Sequence, residues 1–278
     1  MLTSVMERAP ESVRAFCRRI LERGDLATKL APPPADLTDR DPGPRLDVAS
    51  PARETALSLS SGAARLPRPS ALRDASARAR CLARFAHHEL MAVELFAWAL
   101  LQWPDLPPAL RRALLAILAD EQRHCRMYLD RLAAHGERLS DHPRSDYFWK
   151  HAPAIATSPA GPRAFLCAMG LTLEQANLDF SALYAEAFRA AGDDASADVC
   201  AQVHRDEERH VRVAARWLVA LSDDGWSDAE AYTACVPFPF AATRAKGRRF
   251  DAESRRRAGL SEAFIESVRT AGTPSPRT

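Results

Sequence analysis

Two copies of one short motif hold the residues best suited to chemistry in this chain. The motif is Asp-Glu-x-Arg-His, at residues 120–124 and again at residues 206–210. A glutamate and a histidine three positions apart lie on one face of an α-helix, so both can reach the same ion. A carboxylate gives hard oxygen ligands that can bridge two cations, and imidazole adds a neutral nitrogen that suits iron. The repeated motif therefore predicts a metal site.

Two further acidic positions repeat at nearly the same offset. Glu89 and Glu174 are 85 residues apart, and each is followed five residues later by another acid, Glu94 or Asp179. Two features that share one offset indicate two similar halves. Around a turn near residue 105, Glu89 lies 16 residues before and Glu121 16 after, whereas Glu94 lies only 11 before. Residues equally far from the turn face each other in an antiparallel hairpin, so Glu89 is selected over Glu94 as a ligand. In the second half, only the repeat selects Glu174 over Asp179.

The predicted ligands are three residues from each half. Their helices have apolar stripes, so the carboxylates should be buried. Buried carboxylates without cations would repel one another and lose their hydration. Two divalent ions would balance four such charges, and a metal-free polar network is the alternative. The predicted ligands are Glu89, Glu121, His124, Glu174, Glu207 and His210.

The aspartate of each motif has a predicted supporting role. A metal-bound histidine usually donates its other ring N–H to a carboxylate, which fixes its tautomer. We expect a crossed arrangement, with Asp120 bonded to His210 and Asp206 bonded to His124. The alternative is that both aspartates face solvent. The arginines of the motifs either hold these aspartates or face water.

Other polar residues on the same helices are candidates for contacts around the ligands. Glu94 and Asp179 are predicted either to support the ligands or to be exposed charges, and His204 is predicted as an extra polar contact near Glu207. Tyr128 follows His124 by one turn, where the second half has an alanine. A redox role for Tyr128 is the functional hypothesis, and a buried core tyrosine with a satisfied hydroxyl is the commoner alternative.

The helical pattern indicates how these residues are positioned. Apolar residues recur at three- and four-residue steps over about residues 73–102, 107–136, 162–191 and 195–221. Short loops make the helices of each hairpin antiparallel neighbours, and a long connection joins the two hairpins. Three segments follow: an N-terminal helix and proline-rich arm (1–72), a four-helix bundle (73–221) and a helical C-terminal extension (222–278). The arm either wraps the bundle or is mobile.

Composition excludes some functions without selecting one. The 38 basic and 36 acidic residues leave a net charge of +2, which does not favour nucleic-acid binding. No long uncharged apolar run or signal-peptide pattern occurs, so we expect a cytoplasmic protein without a membrane span. The six cysteines form no C-x-x-C, and the four on apolar helical patterns are predicted to be buried thiols. The arginine-rich stretch after residue 243 is interpreted as a solvated tail, with attraction of an anionic partner as the alternative.

Three sequence segments resemble a known family. They are Ala86-His87-His88-Glu89-Leu90, the paired Asp-Glu-x-Arg-His motifs, and Ala258-Gly259-Leu260-Ser261-Glu262. They resemble the bacterial ferritin-like family known as domain of unknown function four-five-five, over about residues 50–268. The ligand pattern is similar to that of ribonucleotide reductase small subunits, rubrerythrins and bacterial multicomponent monooxygenases. In the reductase subunits a radical tyrosine follows the first ligand histidine by four residues, the position of Tyr128.

This resemblance implies an all-α, ferritin-like four-helix bundle of two hairpins with a long crossover. The expected cofactor is a pair of iron ions, or one iron and one manganese, with dioxygen as co-substrate. The leading hypothesis is an oxygen-activating oxidoreductase that acts on a small molecule with the help of an electron donor. Iron storage or detoxification, and a metal-bound binding scaffold, are the alternatives. The oligomeric state is left open, and a homodimer is the one assembly considered.

Overall fold

The structure, a computed structural model, describes residues 10–59 and 65–272. The regular secondary structure of these residues is helical, without a β-strand; one isolated bridge joins Ser12 and Thr38. The all-α prediction is therefore confirmed. The first half contains α1 (Val13–Glu22), α2 (Leu26–Leu30), α3 (Ala75–Gln102) and α4 (Pro108–Ala134).

The second half begins with short helical pieces and continues into two long helices. A π-helical segment, Leu166–Glu174, interrupts what the sequence predicts as one α-helix. The elements are α5 (Ala152–Ala156), α6 (Pro162–Phe165), the π segment, α7 (Gln175–Ala190), α8 (Asp194–Ala220), α9 (Asp228–Cys235), α10 (Ala252–Arg257) and α11 (Glu262–Thr270).

Four long helical stretches pack in two pairs. Helix α3 lies along α4, α7 lies along α8, and α4 also contacts α8, which joins the pairs. Local signals set the helix ends: Asp74 and Asp193 cap α3 and α8 with their side chains. Gly136 and Gly192 follow α4 and α7 with φ of +77° and +76°, a conformation that favours glycine. These boundaries agree with the predicted helices to within about two residues.

The proline-rich arm lies against the first hairpin over its described part. The guanidinium of Arg111 in α4 donates two hydrogen bonds to Asp39, at 2.7 and 2.8 Å. The backbone N–H of Leu46 donates to the carbonyl of Leu101. Residues 31–59 therefore wrap against the bundle, which is one of the two alternatives predicted for the arm. The predicted segments 1–72 and 222–278 also include residues 1–9, 60–64 and 273–278, which lie outside the described residues.

One residue of the arginine-rich stretch, Arg255, departs from the solvated tail predicted for that stretch. Arg255 is fully buried and forms a bidentate ion pair with Asp179 of α7. This pair and the hydrogen bonds from the backbone of Gly247 and Asp251 to the same carboxylate join the extension to α7. The six cysteines are buried and unbridged. None of the described helices has both the length and the apolar character that crossing a bilayer requires.

Candidate metal centre

The six residues predicted as ligands meet in the interior, between the two hairpins. Each is at most 6% exposed. They form two overlapping groups, and within each group the nearest ligand atoms all lie within 4.8 Å of one another. Glu121 and Glu207 belong to both groups. One group adds Glu89 and His124, and the other adds Glu174 and His210. Two adjacent sets of oxygen and nitrogen donors have the chemistry to hold metal ions.

Both imidazoles turn the same ring nitrogen toward the carboxylates. Nδ1 of His210 lies 3.0 Å from Oε2 of Glu174, 3.2 Å from Oε1 of Glu121 and 3.4 Å from Oε2 of Glu207. Nδ1 of His124 lies 3.7 Å from Oε1 of Glu121. The ring centroids of the two histidines are 5.9 Å apart. Nδ1 is therefore the atom that each histidine can offer to a metal.

The opposite ring nitrogens bond to the aspartates of the other motif. Nε2 of His124 lies 3.0 Å from Asp206, and Nε2 of His210 lies 3.2 Å from Asp120. This is the crossed arrangement that the sequence suggests. The partner aspartate fixes the tautomer, since an Nε2–H that donates outward leaves Nδ1 free for a metal.

The motif arginines join the two aspartates to each other. Arg123 donates to Asp120 and to Asp206, both at 2.7 Å. Arg209 likewise pairs with both, at 3.2 Å to Asp206 and at close range to Asp120. Each aspartate therefore receives two guanidinium groups and one imidazole. The arginines therefore hold the aspartates, which is the first of the two roles considered for them; the other was to face water.

This network shifts the pKa values of the histidines and aspartates in opposite directions. Burial lowers the pKa of His124, but its bonds to Asp206 and Glu121 outweigh burial and raise the pKa to about 9. The pKa of His210 is raised for the same reason, through Asp120 and the surrounding glutamates. Burial raises the pKa of Asp120, but the bonds from His210 and Arg209 outweigh burial and lower the pKa to about 2. Without a metal, both histidines are therefore cationic at neutral pH.

The glutamates are under electrostatic conflict. Burial and the neighbouring carboxylates raise the pKa of Glu89 and Glu207 well above the usual range. Burial also raises the pKa of Glu121, but the two histidines outweigh it and lower the pKa. Oε1 of Glu121, Oε2 of Glu207 and Nδ1 of His124 are buried without a hydrogen-bond partner. Buried polar atoms normally have partners, and a cation between these atoms would supply one.

A cavity of about 470 Å³ reaches the carboxylates from one side. Four of the six clustered residues line it, and both histidines lie outside its lining. The rest of its wall combines apolar side chains, cationic groups and the side chains of His88, Tyr147 and Asn177. The lining includes Glu89, Glu121, Glu174, Glu207, Leu66, Phe85, Ala92, Phe148, Met169, Leu173, Ala176, Phe180, Arg65, Arg84, Arg244 and Lys246.

Three predicted contacts are found elsewhere. Glu94 is fully buried but is neutralised by Lys29 and Arg53, at 3.0 and 2.7 Å, away from the ligand cluster. Asp179 is neutralised by Arg255. Neither acid is the exposed charge of the alternative prediction. His204 bonds to serine hydroxyls of α7 and α10 and not to the clustered glutamates, so the contact predicted near Glu207 is wrong.

Tyr128 is buried beside the site but not on the cavity wall. Its hydroxyl points to Sγ of Cys200 at 3.8 Å, and its ring packs against Phe85, which does line the cavity, with centroids 5.2 Å apart. Burial raises the pKa of its hydroxyl. This placement fits the core tyrosine and leaves its redox role a hypothesis.

Two features of the site were absent from the sequence interpretation. The amide of Asn177 donates to Oε1 of Glu207 at 2.7 Å. Its position, three residues after Glu174 and therefore on the same helical face, is a signal that could have found it. The π segment that carries Glu174 has no comparable signal. Such segments are rare and frequently occur at functional sites.

Comparison with known proteins identifies the family. The family model described as "Protein of unknown function (DUF455)" matches residues 7–266. The chain belongs to this family. The sequence resemblance was placed over about residues 50–268. The family match begins well before residue 50, so it includes α1 and the arm. Comparisons with curated proteins and with solved structures give no match.

Proposed function

We propose that this protein binds two metal ions, both iron or one iron and one manganese, in the glutamate–histidine cluster. The donor set supports this: α3 and the π segment each supply one glutamate, and α4 and α8 each supply a Glu-x-x-His pair. This set and its distribution over four helical stretches are similar to ferritin-like di-iron and di-manganese bundles. The proposed ligands are Glu89, Glu121, His124, Glu174, Glu207 and His210.

We propose further that the protein is an oxygen-activating oxidoreductase that acts on a small molecule. Bound iron would supply the electrons and the open coordination positions that reaction with dioxygen requires. The observation that carries this proposal is the cavity, because it leads to four of the six proposed ligands and has room for an organic molecule. A storage protein needs a path for ions but not an apolar chamber of this size.

The chain's own residues have distinct roles in this proposal. Asp120 and Asp206 orient the two histidines so that Nδ1 of each faces the clustered glutamates, where it would bind an ion, and Asn177 orients one oxygen of Glu207. The apolar wall keeps bulk water from the carboxylates. Tyr128 is the candidate for a redox-active side chain, and Tyr128→Phe tests it by whether turnover falls while metal content is retained. An electron donor would be needed for turnover.

Anaerobic titration with ferrous iron tests metal binding and oxygen activation separately. We expect saturation at two ions per chain, followed by a transient visible absorption band on exposure to oxygen. Glu207→Gln should abolish both, whereas the adjacent Glu208→Gln, which loses pairs with Arg257 and His204 outside the cluster, should abolish neither. Protein that takes up no iron, or takes it up without any band, would contradict the proposal. A large cage-like particle in size-exclusion chromatography would favour storage.

A further inference from the structure

The cavity beside the candidate metal centre has four cationic side chains in its lining: Arg65, Arg84, Arg244 and Lys246. Among the residues that the structure describes, none of the four forms an ion pair with an acid. Other buried arginines of the chain do: Arg53, Arg111 and Arg255 each pair with a carboxylate. The four cations therefore lack a direct ionic partner among the described residues, and the glutamates that line the same cavity form no ion pair with them.

Arg84 shows this most clearly. It lies on α3, five residues before Glu89, and is only 9% exposed. Its Nη1 is buried without a hydrogen-bond partner. Burial of Nη1 removes its hydration without a compensating bond. A ligand anion in the cavity would supply the missing acceptor.

Two further cations are held in place by neutral groups. Arg244 donates to the hydroxyl of Tyr147 and to the carbonyl of Pro239, and its guanidinium lies over the Tyr147 ring. Lys246 donates to the carbonyls of Arg269 and Ala271. These bonds fix the positions of both side chains but leave their charges unbalanced. A pre-positioned cation loses less conformational entropy when it binds an anion.

The remaining wall is mostly apolar, and a volume of about 470 Å³ is within the range of small-molecule sites, roughly 300–1,000 Å³. We propose that the cavity binds a small amphipathic molecule whose oxyanion group, a carboxylate or a phosphate ester, pairs with Arg84, Arg244 and Lys246. Its apolar body then lies against Phe85, Met169 and Leu173, toward the clustered glutamates. That this molecule is the substrate rests on the function proposed above; the binding of the anion does not.

Binding of three probes with one alkyl chain tests the proposal: octanoate, octyl phosphate and uncharged 1-octanol. Calorimetric titration uses the full chain, with metal content measured in every sample. Since hydrogen bonds between two charged groups are stronger than those made by a neutral alcohol, at least one of the two anions should bind roughly tenfold or more tightly than the alcohol. The relative affinities of octanoate and octyl phosphate then identify the preferred oxyanion.

Variants locate the anion. Arg84→Met should remove most of the preference for the anion and leave binding of the alcohol unchanged. Arg216→Met is the matched control, because Arg216 is exposed on α8, outside the cavity lining, and its loss should change neither affinity. Arg244→Met gives a second measurement if the Arg84 variant fails to fold, which the melting temperature reports.

Equal affinity of the wild type for anions and alcohol would overturn the proposal, as would an unchanged preference in a folded Arg84→Met or Arg244→Met variant. Either result with two metal ions still bound leaves the di-metal function standing. Conversely, a protein that binds no metal but keeps the anion preference retains the anion site and loses the proposed di-metal function.

Discussion

The two Asp-Glu-x-Arg-His motifs support each other across the interface between α4 and α8. Each motif gives a glutamate and a histidine to the cluster, and its aspartate bonds to the histidine of the other motif. Each arginine contacts both aspartates. Removal of one aspartate therefore affects the distant histidine more than the one in its own motif.

Metal binding should release protons. His124 has a pKa raised to about 9, and the pKa of His210 is also raised, so both are protonated at pH 7 without metal. A metal at Nδ1 must displace one proton from each ring. We expect about two or more protons released per chain at pH 7. Affinity should rise with pH through about 9, because competition by the His124 proton ends only above the pKa of that residue. Calorimetry in buffers of different ionisation enthalpy measures this, and proton release near zero would contradict it.

The crossed aspartates should control metal affinity without binding the metal. Asp120→Asn removes the charge that holds the Nε2 proton of His210, and we expect a loss of about 10- to 100-fold in metal affinity, the range for such supporting groups. Because Asp120 contributes to the raised pKa of His210, proton release on loading should also fall. Asp130→Asn, at an exposed position of the same helix, is the control. Unchanged affinity in the Asp120 variant would remove its positioning role.

The repeat made the cluster predictable at the residue scale, and long-range pairing limited the prediction. Glu94 and Asp179 have the same local spacing as acids that support a site. Their partners Arg53 and Arg255 are 41 and 76 residues away in sequence. No local pattern reveals such a partner, because the fold alone brings the pair together. The same limit applies to the cations of the cavity.

At the scale of elements, the long helices were predictable and the π segment was not. Capping aspartates and terminal glycines are local signals, so helix boundaries follow from sequence. A π-helix depends on a shifted hydrogen-bond register that side-chain periodicity does not encode. Gly170 lies within this segment, and a Cβ built there would be 2.2 Å from Cβ of Ala214. Gly170 therefore allows close packing of the π segment against α8.

Gly170→Ala should destabilise the protein. Alanine favours a helix over glycine by about 1 kcal/mol, but a Cβ at 2.2 Å from the Cβ of Ala214 cannot be accommodated without backbone movement. Overpacking costs about 1–3 kcal/mol, occasionally more, so we expect a net loss of up to about 2 kcal/mol in unfolding free energy. Because Glu174 ends the same segment, iron uptake should also weaken.

A double-mutant cycle isolates this contact. Ala214→Gly in the Gly170→Ala background should recover part of the loss, whereas Ala214→Gly alone should only destabilise. Chemical denaturation of the four proteins gives the coupling free energy. A Gly170→Ala protein more stable than the wild type would show that the helices separate at little cost.

At the scale of the whole molecule, a buried acid connects the N-terminal helices and the arm to the first hairpin. Glu94 of α3 is fully buried, and its carboxylate contacts Lys29 of α2 at 3.0 Å and Arg53 of the arm at 2.7 Å. The indole N–H of Trp149, in the connection between the hairpins, donates to it at 2.9 Å. Four parts of the chain therefore meet at one carboxylate. The family match from residue 7 agrees with an arm that belongs to the folded unit.

Glu94→Gln should therefore release the arm as well as lower stability. Loss of one member of a buried ion pair costs about 3–5 kcal/mol, because the remaining charges stay buried. At roughly 2–4 °C per kcal/mol for a large domain, the melting temperature should fall by about 10 °C. Trypsin should then cleave the arm faster, at Arg53 among other sites. Glu22→Gln, which breaks only the exposed pair with Arg18, should change stability by about 1 kcal/mol or less. If the Glu94 variant melts and resists trypsin like the wild type, the arm is held by its apolar contacts and by Asp39 instead.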